Sequence, residues 1–220
     1  MIGSETGRHN HPVFARLWSL VSDNATAKRV RWELLDGLSG RVAEVGAGDG
    51  RSFVHYPSTV TEVVAVEPEP YLRARATEAA LDAPVRVTVI AGAAERLPLP
   101  DAAFDAAVAS LVLCSVSDQA AALAELRRVL VPGGELRFLE HVVATNKAVR
   151  QSQLLLDRTG LWPRLGAGCH LARDTVGAIT DAGFELEGVR SAELGLVGRA
   201  VPFLIGRARS DGARGPADGA

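Results

Sequence analysis

The segment Glu44-Val45-Gly46-Ala47-Gly48-Asp49-Gly50 is where residue type and spacing point most directly to chemistry. Glycines at 46, 48 and 50 let the backbone pass close to a ligand and leave amide groups free to bond it. The spacing is GxGxG, not the GxGxxG of a dinucleotide site. Glu44, in the apolar run just ahead of the glycines, would repel a pyrophosphate and attract a cationic amino group or a sulfonium. Spacing and charge together favour S-adenosylmethionine (SAM) over NAD. A tight turn without any ligand is the plain alternative for the loop taken alone.

Further residues fall where such a ligand would need them. Glu67 stands 17 residues after Gly50, at the end of the next apolar run. A carboxylate there can accept from both ribose hydroxyls. In Gly92–Pro98 the amides of Ala93 and Ala94 are candidate adenine contacts, and Glu95 either accepts from an amide or caps the next turn. Ser110 to Cys114 closes another apolar run, an edge that would face cofactor and acceptor. Cys114 itself reads more readily as a small core residue than as a nucleophile. His141, in LEHV, is a candidate base or acceptor-orienting group, with a structural hydrogen bond as the alternative. His170 beside Cys169 has no second pair at ligand spacing, so no metal site is expected. His170, Phe14, Trp18 and Trp162 are candidates to line an acceptor pocket, although packing is the commoner use of such aromatics.

These residues need elements to position them. RVAEV (41–45), VTEVVAVEP (60–68), VRVTVIAG (85–92), FDAAVASLVLC (104–114) and GELRFLEHVV (134–143) read as strands. Residues 71–81 and 119–130 read as helices, the second stopping ahead of Val-Pro-Gly-Gly. Alternation of this kind implies parallel βαβ units with helices on both faces of the sheet. Residues 148–158 and 173–182 read as helices, and 184–194 and 202–210 as a closing antiparallel pair. Spacings of three and four over 12–38 predict two amphipathic helices ahead of the sheet, a possible lid. The expected organisation is a disordered stretch at 1–10, one domain at 11–209 and a disordered tail at 210–220.

Composition narrows the function. The 220 residues are 47% hydrophobic and 23% charged, with a formal net charge of −2. That suits one globular domain and gives no basic field for nucleic acid. The chain carries no N/D-P-P-Y/F tetrad of the kind used on a flipped base. No apolar run reaches the roughly 20 residues of a membrane span, and no secretory signal opens the chain. Two cysteines are too few for a disulfide framework. A cytoplasmic protein, monomeric or homodimeric, with a small-molecule partner is expected.

Taken in order, VAEVGAGDG, VVAVEPEP, AERLPLPDAAFDAAVASLVL and ELRRVLVPGGELRFLEH resemble the successive motifs of class I SAM-dependent methyltransferases. The similarity runs over about residues 40–210. LVLCSV (111–116), the Glu140-His141 pair and GCHLARDT (168–175) resemble the methyltransferase-like protein 7 group, whose members methylate alkyl thiols. The resemblance implies an α/β Rossmann-like fold with a seven-stranded, mostly parallel sheet and an antiparallel last strand. It implies that Glu44, Gly46, Ala47, Gly48 and Gly50 bind the methionine part of SAM. It places Glu67 on the ribose, Pro68, Ala94 and Glu95 about the adenine, and Ser110 and Leu111 along the far side of the cofactor. Two departures stand out. Ala93 replaces the Asp that many class I enzymes put in the adenine loop. The apolar membrane-anchoring N-terminus of the thiol-methylating members has no counterpart in the first residues here. The expected function is methyl transfer to a small-molecule acceptor: a thiol, a lipid- or quinone-like compound or a secondary metabolite. The alternatives are a SAM-binding protein without transfer activity and an NAD-dependent oxidoreductase.

Overall fold

In the computed structural model the described residues are 25–166, 168–192 and 202–211. Helix α1 (Ala25–Leu35) leads into β1 (Gly40–Val45), followed by β2 (Val60–Val66), α2 (Pro70–Ala79), β3 (Val87–Ile90) and β4 (Phe104–Ser110). Then come α3 (Gln119–Val129), β5 (Leu130–His141), α4 (Lys147–Arg158), α5 (Leu161–Leu165), α6 (Thr175–Asp181), β6 (Phe184–Ala192) and β7 (Phe203–Ser210). The sheet order is β3-β2-β1-β4-β5-β7-β6. Strands β1 to β5 run parallel, and β7 lies antiparallel between β5 and β6. After β1 the chain builds outward to β3, then returns to the other side of β1 with β4. That reversal between β1 and β4 is the switch point at which α/β sheets open a ligand crevice.

Two-residue periodicity sends alternate β1 side chains into two separate cores. Ala43 and Val45 join Leu123, Leu126, Phe138 and Ile179 under α3 and α6. Val42 joins Leu34, Leu35, Phe53 and Ala76 under α1 and α2. The helices therefore cover both faces, as the alternation of strands and helices predicts. Helix α1 is the second of the two helices expected over 12–38. The first of them, with Phe14 and Trp18, lies outside the described residues, as do the stretches at 1–10 and 212–220. Among the described residues no helix is long and apolar enough to cross a membrane.

Among the boundaries that differ from the sequence expectation, three have a clear local reason. Strand β2 stops at Val66 because the Glu67 carboxylate takes the Glu69 amide and Pro68 has no amide to offer a ladder. Strand β4 stops at Ser110, not Cys114, because Leu111 adopts φ 59° and turns the chain. Strand β5 starts at Leu130, directly after α3. Leu130 pairs with Phe104, and the register then jumps so that Ala106 faces Glu135, the intervening Val-Pro-Gly-Gly forming a bulge.

Candidate active site

The glycine loop is stitched to the end of β2. The Gly46 and Ala47 amides both donate to the Val66 carbonyl, at 2.8 and 3.3 Å, and the Gly48 amide donates to Glu67 Oε2 at 2.8 Å. Two of its glycines do different work. At Gly46 (φ 67°) a Cβ would stand 2.4 Å from Val112, so the absent side chain lets the turn after β4 pack against the loop. At Gly48 (φ 60°) none of the described residues lies within 4 Å of a Cβ position.

The two expected carboxylates are buried. Glu67 is 4% exposed and accepts one amide at each oxygen, Gly48 at 2.8 Å and Glu69 at 2.9 Å. Burial pushes its carboxyl up to about 7, against the pull of those two amides. Arg73 donates to the Glu67 and Pro68 carbonyls, both at 3.0 Å, and so fixes the turn that carries the carboxylate. Glu44 is 2% exposed, accepts the Tyr56 hydroxyl at 2.8 Å, and is likewise raised to about 7 by burial, with Tyr56, Ser52 and Arg31 pulling it down. Its direct bonds thus go to the chain's own side chains.

The loop after β3 is clamped from the other side. Glu95 accepts the Ser117 amide and hydroxyl, both at 2.8 Å, so it joins this loop to the start of α3. The hydrogen bonds of Glu95 and Ser117 hold the Glu95 carboxyl below its ordinary value despite partial burial. Ala94 packs into the core beneath, while Ala93 bridges to Arg96. Arg128 of α3 donates to the Leu97 and Leu99 carbonyls and fixes the far end of the loop.

At the ends of β4 and β5, Glu140 is the residue that sequence reasoning did not assign. It is fully buried and accepts the amides of Val112, Leu113 and Cys114 at 2.9, 2.9 and 3.0 Å. Its signal was an acid inside an apolar strand, next to a histidine already singled out. Arg173 completes the clamp by donating to the Leu113 and Val116 carbonyls, both at 2.7 Å. Ser110 and Leu111 stand half-buried at this edge. His141 is buried on the ring of Phe203 (4.3 Å between centroids), with Nδ1 3.1 Å from Cys169 Sγ and Nε2 without a partner among the described residues. His170 stays partly exposed, 4.0 Å from Asp157, while its amide donates to the Cys114 carbonyl at 2.8 Å. Trp162 is partly buried on α5. Phe14 and Trp18 lie outside the described residues.

The residues present fit SAM. Each Glu67 oxygen keeps a lone pair for one ribose hydroxyl, and none of the described residues crowds Gly48, where the glycine loop turns from β1 toward β2. The fold is that of the class I SAM-dependent methyltransferases, and residues 43–138 match the family described as "Methyltransferase domain". The chain is 33% identical to thiol S-methyltransferase TMT1A of Homo sapiens over 187 residues, 79% of this chain and 74% of that protein. It is 37% identical to thiol S-methyltransferase TMT1B of Mus musculus over 146 residues, 64% of this chain. The matched region spans 59% of the length of that second relative. The N-methyltransferase NodS of Bradyrhizobium japonicum, solved with S-adenosyl-L-homocysteine, superimposes with a TM-score of 0.67 at 16% identity, over 87% of this chain and 90% of that one. The chain belongs to the class I SAM-dependent methyltransferase family, whose cofactor is SAM. Within that family it is similar to the thiol S-methyltransferases named above.

Proposed function

We propose that this protein transfers the methyl group of SAM to the sulfur of a small-molecule thiol. One observation carries the choice of acceptor. The three segments that resemble the thiol-methylating group, 111–116, 140–141 and 168–175, are far apart in sequence yet form one hydrogen-bonded cluster. Glu140 holds the 112–114 amides, Arg173 holds the Leu113 and Val116 carbonyls, and the His170 amide meets the Cys114 carbonyl. That cluster stands at the carboxyl ends of β4 and β5, next to the switch point.

In this reading Glu67 orients the ribose, with Pro68, Ala93, Ala94 and Glu95 about the adenine. Glu44 and the loop from Gly46 to Gly50 hold the methionine part, and Ser110 and Leu111 border the transfer site. Bound SAM supplies an electrophilic methyl on a good leaving group. The protein's share is then to align the acceptor and exclude water. A thiol ionises near pH 8.5 and needs little help to become the nucleophile. A hydroxyl acceptor would need a base, and His141 is the imidazole at that end of the sheet. Action in the cytoplasm on a small molecule rather than nucleic acid, as a monomer or homodimer, belongs to the same proposal. The net charge of −2 and the two free cysteines support it.

The test is an acceptor panel of alkyl thiols, phenols and quinols with labelled SAM, read by mass spectrometry. Methylated thiols are expected. Turnover on quinols or phenols alone would overturn the choice of acceptor, and SAM binding without turnover on any acceptor would favour a sensor or scaffold.

A further inference from the structure

A second constellation lies outside the residues assigned to the cofactor. Cys114 lies in the turn after β4, His141 ends β5, and Cys169 lies between α5 and α6. Two sulfurs and one ring nitrogen from these residues lie within 4.8 Å of one another, and all three residues are buried. Each comes from a segment pinned by its own bonds. Glu140 holds the Cys114 amide at 3.0 Å, Phe203 supports the His141 ring, and the Cys169 amide donates to the Gly166 carbonyl at 3.0 Å. The two cysteines are not joined in a disulfide.

The cluster is poorly satisfied as it stands. Among the described residues His141 Nε2 is buried without a partner, and its Nδ1 meets a sulfur, Cys169 Sγ at 3.1 Å. Buried polar groups are ordinarily paired, and a thiol is a weak partner. A soft cation would take one of the two ring nitrogens together with both sulfurs, since two thiolates and an imidazole form a ligand set suited to zinc. Three protein ligands leave the fourth tetrahedral position to water or an added thiol. Sequence spacing concealed the set. The nitrogen that meets Cys169 comes from His141, 28 residues away, and not from the adjacent His170.

We propose that Cys114, His141 and Cys169 form a binding site for a thiophilic divalent cation of the zinc class, which staples the segment between α5 and α6 to the ends of β4 and β5. Coordination would release the two thiol protons to solvent, so binding tightens as pH rises. The proposal stands apart from the choice of methyl acceptor.

The test uses the full chain, purified without a polyhistidine tag or chelator. Its metal content is measured by mass spectrometry. The reduced, metal-stripped protein is then titrated with Zn2+ and Co2+, and SAM calorimetry on the same sample reports whether it is folded. Near-equimolar zinc is expected, together with thiolate-to-cobalt charge-transfer absorption and a raised Tm on metal addition. Cys169→Ser and His141→Gln should each weaken metal binding by about 100-fold or more. Wild-type protein that binds SAM and has both thiols reduced, yet takes up neither ion, would overturn the proposal. So would variants that bind SAM and keep wild-type metal affinity.

Discussion

Glu44 and Glu67 each carry a carboxyl that burial has raised from an ordinary 4.5 to about 7. The folded chain therefore keeps these protons to higher pH than the unfolded chain does. Their contribution to stability is complete below pH 4.5 and is lost as pH rises through about 7. For one group, a shift of this size corresponds to on the order of 3 kcal/mol. Glu67→Gln removes the charge and keeps the shape. The apo variant is expected to lose less of its urea resistance than the parent does between pH 6 and pH 8. SAM binding should weaken by about 10- to 100-fold, the value of charge-assisted hydrogen bonds to the ribose. In the parent, SAM affinity should rise between pH 6 and pH 8 with proton release, detected by calorimetry in buffers of different ionisation enthalpy. In Glu67→Gln that dependence should shrink. Burial raises the Glu140 carboxyl as well, against the pull of the three amides of one turn that it accepts. Glu140→Ala leaves them unpaired in a buried place and should cost about 3 kcal/mol or more, read as a lower urea midpoint.

At the scale of elements, the turns decide the site and the strands support it. Gly48 has a left-handed backbone, and none of the described residues crowds its Cβ position. Gly48→Ala is expected to cost about 1–2 kcal/mol of stability from the backbone alone, while SAM affinity falls by a factor well above what that loss implies. Gly46→Ala meets Val112 at 2.4 Å and should destabilise more, by about 1–3 kcal/mol for the overpacking in addition to the backbone cost. Paired thermal melts and SAM titrations separate the two. The elements themselves were largely legible in the sequence: short apolar runs gave β1 to β5, and spaced leucines gave α3. The ends of β4 and β5 were not legible. A strand reading of 104–114 follows hydrophobicity, whereas the turn at Leu111 depends on Glu140, nearly thirty residues on.

At the scale of the molecule, the order β3-β2-β1-β4-β5-β7-β6 brings the glycine loop and the turn after β4 together at the switch point. The 168–175 segment is tied to that turn by Arg173 and the His170 amide, and to α4 by the hydrogen bonds of Asp157 to the Leu171 and Ala172 amides. Binding at one edge should therefore quiet the other. SAM is expected to lower amide hydrogen exchange at 111–116 and 168–175 as well as at 44–50, measured by mass spectrometry. Protection confined to 44–50 would show that the two edges are not coupled.

The sequence by itself determined the alternation of strands and helices, the glycine loop, the acid 17 residues beyond it and the family resemblance, because each is written in short-range order and spacing. Tertiary structure alone decided that Glu140 governs the turn after β4 and that Glu44 spends its bonds on Tyr56 and Ser52. It also decided that Cys114, His141 and Cys169 meet. Those contacts join segments from different parts of the chain, and only the packed sheet fixes which buried polar group finds which partner.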